Sequence, residues 1–132
     1  MTTFAMTKLV VGDVEQAKAF YGAVCGLTEA RRVEGQFGAG RITELIMEGP
    51  SPAAATLVLF TYHGQPAPAA GECMLVFETE DIEAFVRRAV EAGGSVMQPV
   101  QALPDFGLSF GFVRDPEGHV VEAIQRHAPA TG

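Results

Sequence analysis

Asp13 and Asp81 stand 68 residues apart, and the chain around one repeats the pattern around the other. At each site a run of β-forming residues ends at an aspartate, and an amphipathic segment follows it. Phe4–Val11 precedes Asp13, and Met74–Thr79 precedes Asp81. Asp is a strong N-cap because its carboxylate accepts hydrogen bonds from first-turn backbone N–H groups that have no partner in the helix. After Asp13, Val14, Ala17, Tyr21 and Val24 fall on one stripe, and the segment stops at Gly26. After Asp81, Ile82, Phe85, Val86, Ala89 and Val90 follow the spacing of a helix with one buried face, and the segment stops at Gly93-Gly94. The same offset carries Met6 to Met74 and Gly26 to Gly94. A repeat of this length marks one supersecondary unit used twice.

Three strand candidates follow each helix. They cover 29–33, 41–48 and 54–62 in the first repeat, and 95–98, 107–114 and 119–126 in the second. Asp115-Pro-Glu-Gly118 joins the last two with the residue preferences of a type I turn. The Pro-, Ala- and Gly-rich stretch 63–71 reads as a linker. The expected architecture is therefore α+β. It has two βαβββ modules, 4–62 and 72–127, in one domain spanning 1–132, with mixed sheets curved into a cup and the helices on the outer face. Each module alone has few residues for a core, so the modules are expected to pack on one another or on a second chain.

Composition narrows the functional classes. Nine Lys and Arg oppose sixteen Asp and Glu, for a net charge of −7. Nucleic acid is an unsuitable partner, because phosphate binding needs clustered positive charge, and an anionic membrane surface is disfavoured on the same ground. Cys25 and Cys73 make neither a disulfide framework nor a Cys-x-x-Cys site. No secretory signal or membrane-spanning run is read, so the expected setting is the cytoplasm. His63, His119 and His127 lack metal-site spacing, and His63 reads as a solvated loop residue.

Two stretches carry a family resemblance. One is Leu9-Val-Val-Gly-Asp-Val-Glu-Gln-Ala-Lys-Ala-Phe-Tyr21 with Gly26-Leu27. The other is Asp115-Pro-Glu-Gly-His-Val-Val-Glu-Ala-Ile124. In this order and spacing they resemble the opening helix and closing hairpin of the vicinal oxygen chelate superfamily, which groups glyoxalase I, bleomycin-resistance proteins and extradiol dioxygenases. The resemblance implies the cup-shaped fold and a homodimer with two cups. It also implies four cup positions that hold an ion in metal-using members, and these match Met6, Leu59, Met74 and Glu122.

Of those four, only Glu122 is a usual ligand type. A catalytic zinc takes three protein ligands, and other hard divalent ions need several imidazole or carboxylate donors. Neither a metal nor another cofactor is expected. Lys8 should face the way Met6 does, and Thr61 the way Leu59 does, because strand positions i and i+2 share a face. Phe110 and Phe112 share a face of the seventh strand by the same rule.

The expected ligand-binding set is thus Met6, Lys8, Leu59, Thr61, Met74, Phe110, Phe112 and Glu122, and the expected partner is a small molecule held without a metal. Two enzymatic readings stand beside it. One is a glyoxalase I-like lyase or dioxygenase with a non-standard metal site. The other is a metal-free enzyme with Glu122 as catalytic base.

Overall fold

The computed structural model describes residues 1–38, 40–51 and 56–128. The element order is β1 (Met6–Val10), α1 (Val14–Cys25), β2 (Thr28–Phe37), β3 (Gly40–Glu48), β4 (Thr56–Tyr62), β5 (Met74–Glu78), α2 (Ile82–Glu91), β6 (Ser95–Leu103), a 3₁₀ turn (Pro104–Phe106), β7 (Leu108–Arg114) and β8 (Val120–Arg126). Residues 54 and 55, the start of the strand expected over 54–62, lie outside the described residues. The chain forms two compact units, Met1–Ala69 and Ala70–Gly132, and the division falls inside the expected linker. No described helix is long and apolar enough to cross a membrane.

Each unit is a four-stranded mixed sheet with one helix. The strand orders are β1-β4-β3-β2 and β5-β8-β7-β6. In both, the first strand runs parallel to the last, and the remaining pairs are antiparallel. The expected βαβββ order is what the chain adopts.

The helices begin and end for local reasons. One carboxylate oxygen of Asp13 accepts from the N–H groups of Glu15 and Gln16, both at 3.0 Å, and Asp81 accepts from Ala84 N at 3.1 Å. α1 ends at Gly26, whose φ of 70° is cheap only for a residue without Cβ. The Gly26 N–H then donates to the Gly22 carbonyl, and Leu27 N–H to that of Tyr21.

Packing follows strand alternation. Leu9, Leu59 and Leu45 lie side by side in register across β1, β4 and β3. They are buried with Met47, Phe20, Tyr21 and Val24, which makes this the α1-facing side. The second unit repeats the arrangement with Phe77, Ala123 and Gly111 in register, and the Phe77 ring lies 6.5 Å from that of Phe85 on α2.

Two expected strands prove longer. β2 runs to Phe37, and β6 continues past Pro99 to Leu103. Proline cannot donate to a ladder, so it is tolerated on an edge strand or at a bulge. β6 is the edge of its sheet, and its register shifts between Val96 and Gln98 and between Gln98 and Gln101.

On the surface, Arg32 of β2 bridges Glu15 of α1 at 2.6 Å and Glu29 of β2 at 2.8 Å. The hydrogen bond from Arg32 holds the Glu29 carboxyl below the usual carboxylate range, with Lys18 adding to the effect. A depressed carboxyl stabilises the fold above its unfolded pKa, and that contribution is lost as pH falls through the folded value. Arg32→Ala should move the Glu29 titration midpoint upward in a carboxylate-resolved NMR titration.

The β7–β8 turn is tied by a buried pair. Asp115 Oδ1 accepts from Glu117 N at 3.0 Å and His119 N at 2.9 Å, and Oδ2 lies 2.8 Å from His119 Nδ1. Asp115→Ala leaves those buried donors without their acceptor. It should lower unfolding stability by about 1–3 kcal/mol in a urea titration.

Candidate functional site

The sheet faces turned away from the helices carry the candidate site, and each is described within its own unit. In the second unit this face presents Met74, Val76 and Glu78 from β5, Glu122 and Ile124 from β8, and Phe110 and Phe112 from β7. The assignment follows from the pairs Val76↔Glu122, Phe112↔Glu122 and Phe110↔Ile124.

Met74 is 61% exposed and Val76 55%, an unusual exposure for apolar strand residues, so this face is open. The Phe110 and Phe112 rings meet edge to face, with centroids 5.9 Å apart. Glu122 is half-buried between Val76 and Phe112. Its carboxylate makes no hydrogen bond or ion pair with the described residues. The nearby arginines are engaged: Arg126 pairs with Glu78, and Arg114 donates to the Gly118 carbonyl. Met74, Phe110, Phe112 and Glu122 therefore do share one face, as the alternation of the strands requires.

In the first unit, Met6 and Lys8 stand on the face away from α1 with Val58, Phe60, Glu44 and Ile46. Lys8 forms an ion pair with Glu44 and lies 5.5 Å from the centre of the Phe60 ring. Its charge is thus met by a carboxylate two strands away in the same sheet. Phe60 also packs edge to face with Tyr62 at 4.7 Å and with Phe37 at 6.1 Å.

Leu59 and Thr61 are not on this face. Leu59 pairs with Leu9 and has no exposed surface, which places it in the α1-facing core. Thr61 follows it on the same side, with its hydroxyl donating to the Gly12 carbonyl at 3.4 Å. The sequence-based expectation for these two is corrected by one residue, and a one-residue slip sends every side chain of a strand to the opposite face. The internal repeat carries the signal that sets the register. Val76 pairs with Glu122 as Lys8 pairs with Val58, so the counterpart of Glu122 is Val58, 64 positions earlier. The last strands are offset by 64 and the first strands by 68, because the intervening segments differ in length.

The corrected four positions are Met6, Val58, Met74 and Glu122. In the first unit Met6 and Val58 offer a thioether and an isopropyl group, and in the second Met74 and Glu122 offer a thioether and a carboxylate. Neither pair supplies the several imidazole or carboxylate donors that a hard divalent ion needs. Among the described residues, no three His, Cys, Asp or Glu side chains come together in a way that could hold a metal ion.

Comparison with known proteins agrees with this architecture. The Glyoxalase/Bleomycin resistance protein/Dioxygenase superfamily matches residues 3–123, and the chain belongs to that superfamily. A glyoxalase family protein from Bacillus cereus superposes with a TM-score of 0.82 at 18% identity, covering 97% of this chain and 96% of its own. A glyoxylase/bleomycin resistance protein/dioxygenase domain from Frankia sp. EAN1pec gives 0.72 at 21% identity, covering 96% and 99%. The trypanothione-dependent glyoxalase I of Leishmania major gives 0.70 at 20%, covering 95% and 87%. At these identities the likeness is one of fold. Comparison with curated proteins gives no significant match.

The face assignment has a direct energetic consequence. Leu59→Ala should cost about 2–5 kcal/mol in urea unfolding, as expected for a leucine deleted from a closed core. Met74→Ala, on the open face, should cost less than about 1 kcal/mol. Equal costs would contradict the assignment.

Proposed function

We propose that this protein binds a small, largely apolar organic cation without a metal, on the open sheet face that holds Glu122. Sequestration of an antibiotic of that chemistry is the role that its family membership suggests, and the chain is proposed to act as a homodimer in the cytoplasm. The observation that carries the reading is a carboxylate without an ion pair among the described residues, set between Val76 and Phe112 on a face that also bears Met74 and Phe110.

Three physical arguments support it. Exposed thioether and aromatic side chains make an adaptable apolar surface. Ring faces and a carboxylate together attract a cation, the first through the ring quadrupole and the second through charge. A net charge of −7 steers cations toward the molecule. The metal-dependent alternative is not supported by the donor set of Met6, Val58, Met74 and Glu122.

Two fluorescent probes of similar ring size test this reading: ethidium, a cation, and anilinonaphthalene sulfonate, an anion. Chelator-treated protein should bind ethidium saturably and bind the anion far more weakly. Glu122→Gln should weaken ethidium binding by about ten- to a hundredfold, the cost of a lost charged contact. Stoichiometric metal in the purified protein, or probe binding that requires added metal, would overturn the reading. A substrate whose turnover is lost in Glu122→Gln while its binding is kept would favour the metal-free enzyme instead.

A further inference from the structure

The two modules share a hydroxyl–histidine pair at the helix-side end of their sheets, and they complete it differently. In the first module Thr43 of β3 lies 2.7 Å from His63 Nε2, and His63 N–H donates to the Arg41 carbonyl. In the second module Ser109 of β7 lies 2.7 Å from His127 Nε2, and His127 N–H donates to the Gly107 carbonyl. Thr43 pairs across the sheet with Thr61, and Ser109 pairs with Gln125. Thr61 and Gln125 are therefore equivalent positions. His63 is an exposed residue of the turn after β4, as expected, and its ring also reaches the buried Thr43.

The difference between the modules lies at the first helical N–H. In the second module the Gln125 carboxamide reaches the start of α2, and its oxygen accepts from Ile82 N at 2.9 Å. In the first module the equivalent N–H is that of Val14, because Asp13 takes those of Glu15 and Gln16. Thr61 is too short to serve it and bonds the Gly12 carbonyl instead. Val14 N–H has no acceptor among the described residues. At that place stands an open surface pocket of about 540 Å3, whose lining includes Val14, Thr43, Thr61, His63 and Gln65. Pockets of this size hold small organic ligands.

The geometry points to a second ligand site in this pocket, for a small molecule that presents a primary carboxamide. The ligand's amide oxygen accepts from Val14 N–H, as the Gln125 oxygen does from Ile82. The hydroxyl oxygens of Thr43 and Thr61 are acceptors for its NH₂ group. A carboxylate is disfavoured, because Asp13 lines the same pocket and a carboxylate ligand offers no N–H donor.

The test is an NMR titration of the full chain with nicotinamide, using nicotinate as the carboxylate isostere. Nicotinamide should shift the amide resonances of Val14 and Thr61 and the ring signals of His63 saturably in the millimolar range. Nicotinate should act at least tenfold more weakly. Thr61→Gln places the second module's own carboxamide in the first and should abolish the response. Thr61→Val keeps the strand shape, removes only the hydroxyl, and should weaken the response severalfold. Equal responses to nicotinamide and nicotinate, an undiminished response in folded Thr61→Gln, or no saturable shift would each overturn the proposal. None of these outcomes depends on the Glu122 face.

Discussion

Side-chain alternation along the parallel pairs β1–β4 and β5–β8 is the constraint on which the rest of this structure depends. In each module it separates one strand's residues into a set that closes against the helix and a set that does not. Leu9, Leu59 and Leu45 form the closed set in the first module, as Phe77, Ala123 and Gly111 do in the second. Once these are committed to the core, Met6 with Lys8 and Met74 with Glu122 can only point the other way. The chemistry of the opposite face follows from a packing decision made on the helix side.

That face departs from the ion-binding version of the fold in a specific manner. The first unit has Met6 and Val58 at these positions, and the second has Met74 and Glu122, so Glu122 is matched within its own unit only by a thioether. In the proposed metal-free reading, affinity comes from apolar area and the Glu122 charge. The second module supplies both in Met74, Val76, Phe110, Phe112 and Glu122. The first module's charged pair, Lys8 with Glu44, is already internally neutral.

Much of this was legible in the residue order. The capping aspartates, the 68-residue repeat and the Asp115-Pro-Glu-Gly118 turn are local signals, and local signals fix element type and order. The coincidence of Met74, Phe110, Phe112 and Glu122 on one face followed from period-two alternation in strands with sharp boundaries. Leu59 and Thr61 were misplaced because β4 is almost continuously apolar from Leu57 to Phe60, so its own pattern does not distinguish the two faces. Only pairing with β1 resolves the choice. The Thr43–His63 contact joins a residue of β3 to one 20 positions later in the turn after β4, and it has no local signature. The extension of β6 past Pro99 was hidden because proline signals a break unless the strand is known to be an edge.

The central claim is that a ligand contacts the open face rather than the helix-side core, and the methionine methyl groups report on it directly. Met74 is 61% exposed on the open face, whereas Met47 has no exposed surface and lies on the α1 side. In protein labelled with ¹³C at the methionine methyl groups and stripped of metal, titration with ethidium should shift the Met74 signal in step with binding and leave Met47 unmoved. A shift of Met47 with Met74 unchanged, or a Met74 response that appears only when a divalent ion is restored, would contradict the account.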